Sequence, residues 1–359
     1  MLFYLFYSLH ETFSYFRVFK YITFRTALAV LSAMLLSFFL GPWLIKRLKK
    51  FHLEQQVRDE GPKAHLKKAG TPTMGGLLIL LSILLPTLLW ADILNLYIII
   101  LLATCIIFGG IGFIDDYLKV KKKSSKGLSG KKRFMLEILI CLIIGIILVG
   151  SGNFDTRMVF PFFKLVTVDL GWFYLIIIVL VLVGSANAVN ITDGLDGLAT
   201  GTVLIAGAAY TAFAYIAGHA LFSEYLLVAK VPLAGEITVF CGALIGACIG
   251  FLWYNCYPAQ LFMGDVGSLT LGSSLGVVAV MVKQELLLIL VGGIFVIEAL
   301  SVIVQVIYFK TTGGKRIFLM SPLHHHFELK GWNESKVVVR FWILAIIFAL
   351  MSLATLKLR

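Results

Sequence analysis

The chain is poor in charge. Only 14% of its 359 residues are Asp, Glu, Lys or Arg, while 60% are hydrophobic. Soluble domains carry about 25% charged and roughly 45–50% apolar residues, so a water-soluble fold is excluded for most of this length. A mean hydropathy of +0.96 points the same way. CxxC spacing is missing as well. Cys105, Cys141, Cys241, Cys248 and Cys256 lie in or beside apolar runs, which argues against a zinc or disulfide framework. No internal repeat or low-complexity tract is evident, which weighs against an inverted-repeat transporter. Residues 1–20 have no basic n-region and no small-residue cleavage site. They are expected to form an aromatic-rich interfacial segment rather than a cleaved leader.

What the chain does have is long apolar runs. A spanning helix needs roughly 17–25 mostly apolar residues. Ten stretches qualify, at about 21–45, 74–91, 95–117, 132–151, 172–189, 197–217, 235–254, 266–282, 286–309 and 337–356. Asn95 and Lys283–Glu285 mark tight connections, and Pro86 is expected to kink the second span. The loops after spans one, three and nine hold 22 of the 31 Lys and Arg residues. The positive-inside rule then puts these loops, and loops 5–6 and 7–8, in the cytoplasm, with both termini outside. Residues 157–170 alternate around Pro161 and read as a small extracytoplasmic β-hairpin. The expected fold is an all-α integral membrane protein of about ten transmembrane helices, residues 1–359 forming one polytopic membrane domain.

Five aspartates, Asp115, Asp116, Asp193, Asp196 and Asp265, fall in short polar stretches at the ends of apolar runs. The orientation above puts all five on the cytoplasmic rim. Asp115 and Asp116 close the third span in GGIGFIDDYLKVKKK. A helix C-terminus disfavours anions, so this pair is not a cap. Neighbours differ by about 100° around a helix, so the two are expected to address different groups, one of them a metal. Lys119, Lys121, Lys122 and Lys123 follow, able to balance charge or hold a lipid phosphate.

Loop 5–6 spaces Asn187, Asn190, Asp193 and Asp196 at steps of three, which a helical or turning backbone would stack on one side. Gly194 and Gly197 permit close backbone approach. The amides and carboxylates suit sugar hydroxyls, a base edge or Mg²⁺, and the twelve-residue calcium-loop template is absent. In loop 7–8, NCYPAQLFMGDVGSL, Asp265 begins a helix where free N–H groups favour an anion and its metal. An N-cap is the plainer reading there. Phe262 could stack on a planar base.

Loop 1–2 brings Lys67, Lys68, Thr71 and Thr73 before Gly75-Gly76 at a helix start, a place suited to phosphate or simply to a cap with snorkelling lysines. Loop 9–10 carries His324, His325 and His326. Three successive histidines diverge on a helix and rarely share one metal. They fit a diphosphate better, on a loop folding over the site as a lid. Glu298 and Gln305, seven residues apart, share one face of the ninth span and suit buried polar partners.

Together, IDDY, NAVNITDGLDGLATG, NCYPAQLFMGDVGSL and PLHHHFELKGW sit in one order on one membrane face. This set resembles the phospho-N-acetylmuramoyl-pentapeptide transferases, a bacterial family within the polyprenyl-phosphate N-acetylhexosamine-1-phosphate transferase superfamily. The resemblance covers essentially the whole chain, and the HHH run and TPTMGG favour this family over relatives using other UDP-sugars. It implies transfer of the phospho-sugar of UDP-N-acetylmuramoyl-pentapeptide to undecaprenyl phosphate, giving lipid I and UMP at the bacterial inner membrane, with Mg²⁺ as cofactor. By motif match, Asp115, Asp116 and Asp265 resemble the catalytic residues and Asp265 the metal ligand. Lys68, Thr73, Asn190, Asp193, Asp196, Asn255 and Phe262 match the uridine and sugar side, and Gly194, Gly264, Ser268 and Gln305 are grouped with them. His324, His325 and His326 match a triad near the diphosphate, and Lys119, Lys131 and Arg133 are assigned to the lipid phosphate. A homodimer is a family-level expectation, and no nucleic-acid polymer is expected as a partner. Two other readings stand beside this one: a related transferase for another UDP-N-acetylhexosamine, and an anionic-solute transporter. The transporter would need polar residues at mid-membrane depth in several spans.

Overall fold

The computed structural model describes residues 2–51, 70–122, 127–161 and 167–357. Lys67, Lys68 and Lys123 lie outside the described residues. Apolar runs fold as helices because only helices and closed barrels satisfy their own backbone groups in lipid. The segment before the first span holds α1 (Leu2–Ser8) and two 3₁₀ turns, none with a buried residue. The spans are α2 (Ile22–Lys50), α3 (Gly76–Trp90), α4 (Leu96–Lys121), α5 (Gly130–Gly150), α6 (Tyr174–Thr192) and α7 (Leu198–Gly218). A short α8 (Ala220–Tyr225) precedes α9 (Ala234–Asn255) and α10 (Gly264–Met281). After these come α11 (Leu288–Val291), α12 (Gly293–Thr311), α13 (Leu323–Leu329) and α14 (Glu334–Ala354).

Nine helices among the described residues are long and apolar enough to cross a membrane. The remaining expected span, the second at 74–91, is α3, which has 15 residues, or about 22 Å at 1.5 Å per residue. Residues 72–76 extend it in a different way, docking on the start of α10. There Phe262 N–H donates to Pro72 O (2.9 Å), Gly75 N–H to Phe262 O (2.8 Å) and Gly76 N–H to Met263 O (2.8 Å). These donors are therefore spent on backbone and are not free for a phosphate, one of the two readings of this helix start. The expected ninth span, 286–309, is also corrected. It is split at Gly292 into α11 and α12, and α12 runs on to Thr311.

Small residues place the core. In lipid, helix pairing rests on close packing rather than on a hydrophobic drive. α10 is buried from Asp265 to Met281, and a Cβ on Gly76 would overlap the backbone of Gly267. Gly242, Gly246 and Gly250 of α9 lie against Thr26, Val30 and Ser37 of α2. Large apolar side chains such as Ile106, Leu139, Leu180 and Ile347 face outward, as a lipid-facing surface requires.

The hairpin is present. β1 (Arg157–Val159) pairs antiparallel with β2 (Thr167–Asp169), Met158 opposite Val168. At that end of the bundle the 283–285 connection is tied in: Lys283 Nζ donates to Tyr174 Oη (2.7 Å) and to Asp155 O (2.9 Å), and Tyr174 Oη donates to Glu285 Oε1 (2.6 Å). Arg25 and Glu236 form a two-pronged pair there, at 2.6 and 2.8 Å.

Candidate active site

The third span does not stop before its aspartates. α4 continues to Lys121, so Asp115, Asp116 and Lys119 ride on its last turns, Lys119 lying four residues after Asp115 and three after Asp116. Gly112 sets the depth of this end, because a Cβ there would strike the Asp265 carbonyl. The ends of α4 and α6 and the starts of α5 and α10 thus meet at one rim.

Asp115, Asp116 and Asp265 each offer an oxygen within 4.8 Å of the others. The pair on α4 therefore converges, although neighbours on a helix diverge by about 100°. Lys119 Nζ sits among all three, 2.6 Å from Asp115 Oδ2, 2.8 Å from Asp265 Oδ2 and 3.5 Å from Asp116 Oδ1. Leu128 N–H donates to Asp115 Oδ1 (2.6 Å), and Val266 N–H to Asp116 Oδ2 (3.3 Å). Gly264 has φ +71°, and a Cβ there would press on Asp116 and Thr73. Glycine is required at that crossing.

A second cation completes the set. Arg133 of α5 lies 3.1 Å from Asp265 Oδ2, donates to Asn187 Oδ1 at 3.2 Å and is 3.4 Å from Glu137 Oε1. Glu137 is fully buried and accepts from Asn187 Nδ2 (2.6 Å). Asn190 Nδ2 donates to Asp265 Oδ1 (2.8 Å) and to Ser268 Oγ (2.9 Å). Lys119 and Arg133, expected to await a lipid phosphate, are thus woven into the carboxylates, while Lys131 is exposed. Glu137 was not among the expected site residues. Asn187 belongs to the three-step series, but nothing in the sequence pairs it with a glutamate fifty residues earlier.

Asp193 caps the end of α6 outside the helices and is partly buried. Burial first, then the charges of Asp265, Asp116 and Asp196, push its carboxyl from 3.8 up to about 8. Asp196 is buried, and its Oδ2 accepts from Ala259 N–H (3.0 Å). Asn255 is consumed internally, its Oδ1 accepting from Gly197 N–H (3.1 Å) and Thr200 Oγ1 (3.0 Å), its Nδ2 donating to Leu261 O (3.0 Å). Gln305 likewise spends its amide on the backbone of Ile317 and Phe318.

The three histidines part company on α13. His324 is buried, its backbone N–H and Nδ1 both 3.1 Å from the Glu298 carboxylate. His325 Nδ1 lies 2.8 Å from Glu328 Oε2. His326 Nδ1 accepts from Leu319 N–H (3.1 Å), and partial burial, then Lys330, hold His326 below its ordinary value. His324 reaches the aspartate turn, its Nε2 lying so close to Gly194 that a Cβ there would overlap it.

Carboxylate oxygens are hard donors of the kind that Mg²⁺ takes. Lys119 already puts a positive charge among the three, so the cluster accepts a cation. Such a centre at one rim of a helical membrane bundle suits chemistry on phosphorylated groups. The family model described as glycosyl transferase family 4 matches residues 98–283, and the phospho-N-acetylmuramoyl-pentapeptide-transferase signature 1 matches residues 68–80. Proteins named phospho-N-acetylmuramoyl-pentapeptide-transferase are similar over the full length of both chains. Those from Desulfatibacillum aliphaticivorans, Desulfosudis oleivorans (strain DSM 6200 / JCM 39069 / Hxd3) and Syntrophus aciditrophicus (strain SB) are 57%, 55% and 53% identical to it. The chain belongs to the phospho-N-acetylmuramoyl-pentapeptide-transferase family.

Proposed function

We propose that this protein transfers phospho-N-acetylmuramoyl-pentapeptide from its UDP conjugate to undecaprenyl phosphate at the bacterial inner membrane, forming lipid I and UMP. The observation that carries this reading is the convergence of Asp115, Asp116 and Asp265 with Lys119 and Arg133 at one end of the bundle. The basic loops assign that end to the cytoplasm, where a nucleotide-linked donor meets a lipid phosphate.

The acceptor phosphate attacks the sugar-bearing phosphorus, one new P–O bond forms, and the bond to UMP breaks. Phosphoryl transfer asks the protein chiefly for positioning and charge stabilisation. Asp265 would hold Mg²⁺, with Asp115 and Asp116 in reach. When bound, the metal screens the diphosphate and polarises the bond that breaks. Lys119 and Arg133 are placed to hold phosphate oxygens. The acceptor, with a second pKa near 6, is largely dianionic at neutral pH, so a carboxylate of the Asp115–Asp116 pair has only the residual proton to take. We assign Asn190, Asp193 and Gly194, at the end of α6 and in the turn after it, and Phe262 of loop 7–8 to the sugar and nucleotide.

The two mid-span glutamates argue against a transport path, since Glu137 and Glu298 are buried and bound to Asn187 and His324. The donor is tested with purified protein, Mg²⁺, undecaprenyl phosphate and either UDP-N-acetylmuramoyl-pentapeptide or UDP-N-acetylglucosamine. UMP release is expected with the first. Release with the second alone overturns the assignment.

A further inference from the structure

Glu298 sits on α12, fully buried, and both its oxygens serve one residue. Oε1 accepts the backbone N–H of His324, and Oε2 lies against its Nδ1, each at 3.1 Å. One turn of α13 is thereby pinned to a membrane helix. Seven residues on, Gln305 grips the backbone of Ile317 and Phe318, so α12 clamps the loop at two points. A carboxylate at Nδ1 makes that nitrogen the N–H donor, and the ring is then fixed in one orientation. Its other nitrogen, Nε2, is buried without a hydrogen-bond partner among the described residues. A buried polar atom with no partner calls for an explanation.

That atom points at Gly194, between Asp193 and Asp196 in the turn after α6. Gly194 is not among the residues with positive φ, so glycine is needed there for space and not for backbone conformation. The imidazole edge fills the room that a side chain would take. Asp196, on the far side of the turn, is held by the backbone N–H of Ala259. The turn is wedged between these two contacts.

We propose that Glu298 is a positioning residue for the transfer: it seats His324 edge-on against Gly194 and so sets the turn that presents Asp193 and Asp196 to the UDP-linked substrate. Glu298 touches no substrate and acts through His324. Its loss loosens binding of the donor more than it slows the chemistry, because the Asp115–Asp116–Asp265 cluster does not depend on it. The inference rests on the transferase reading given above.

The test is a double-mutant cycle of Glu298→Gln and Gly194→Ala in the full-length protein. A glutamine offers one acceptor oxygen where His324 brings two donors, and an alanine pushes the same contact from the other side. Each single change is expected to raise KM for UDP-N-acetylmuramoyl-pentapeptide at least fivefold with kcat within about threefold, as loss of uniform binding does. The double variant is expected to be no worse than the worse single, since both break one contact. Effects that multiply, or a fall in kcat at unchanged KM, overturn the proposal. If the wild-type protein turns over no UDP-linked substrate, the functional reading fails by itself. The same cycle read as apparent melting temperature then decides: non-additive losses support the contact and additive losses overturn it.

Discussion

Lys119 Nζ lies 2.8 Å from Asp265 Oδ2 and thereby fills the space among the three carboxylates. An ammonium there and a bound metal compete for the same oxygens. Removing it should favour the metal, because a unit charge a few ångströms away is worth several kcal/mol at the effective dielectric of a protein rim. Lys119→Met is expected to tighten Mn²⁺ binding about tenfold in the absence of substrate, read from free Mn²⁺ by electron paramagnetic resonance. Transfer should fall at the same time, since phosphate oxygens lose a cation. Unchanged Mn²⁺ affinity would show that the ammonium does not hold the metal's place.

Asp193 supplies the pH dependence. Its carboxyl, raised from 3.8 to about 8 by burial and by Asp265, Asp116 and Asp196, binds its proton more tightly in the folded chain than in the unfolded one. The contribution to stability is therefore full below the unfolded value and is lost as pH rises through the folded one. In metal-free protein, Asp193→Asn is expected to raise the melting temperature, with a gain that grows from pH 5 to pH 8.5. A gain of constant size across that range would mean that Asp193 is not the titrating group.

Asn255 is a tie between the 194–197 turn and loop 7–8. Asn255→Ala strands Gly197 N–H and Thr200 Oγ1 in a buried place, at about 1–3 kcal/mol for an unsatisfied group. A lower melting temperature without any ligand is expected. Stability equal to wild type, with UMP affinity alone reduced, would instead make Asn255 a nucleotide contact.

Gly76 lies on Gly267 where α3 crosses α10. Gly76→Ala must push two backbones apart, and overpacking of this kind costs about 1–3 kcal/mol or more. A clear loss of melting temperature is expected, against little change for Gly110→Ala, where nothing lies within 4 Å of a Cβ.

The placement of the aspartates was legible because charge is scarce in an apolar chain, and five carboxylates at helix ends stand out. The spans and the hairpin followed from run length and alternation. Side-chain pairing was not legible. Lys119 reads in sequence as one of a lysine run, and only the packing of α4 on α10 turns it into the cluster. Asn255 and Gln305 are grouped with the substrate residues by the family resemblance, and the fold also ties their amides to its own loops. Gly75-Gly76 looks like a phosphate loop because close helix packing and phosphate cradles both call for glycine. Glu298 reads in sequence as a buried polar group, but its partner His324 lies 26 residues away in the chain, and Glu137 meets Asn187 only across 50 residues.

Transfer runs directly from donor to acceptor at one carboxylate cluster. It is tested most directly by giving the protein UDP-N-acetylmuramoyl-pentapeptide labelled in the sugar-bearing phosphate, with and without undecaprenyl phosphate. Label is expected to enter the lipid fraction one-to-one with UMP, only when the acceptor is present, and Asp265→Ala is expected to abolish its transfer. Label held on an aspartate of the protein, with UMP released before any acceptor is added, would contradict direct transfer.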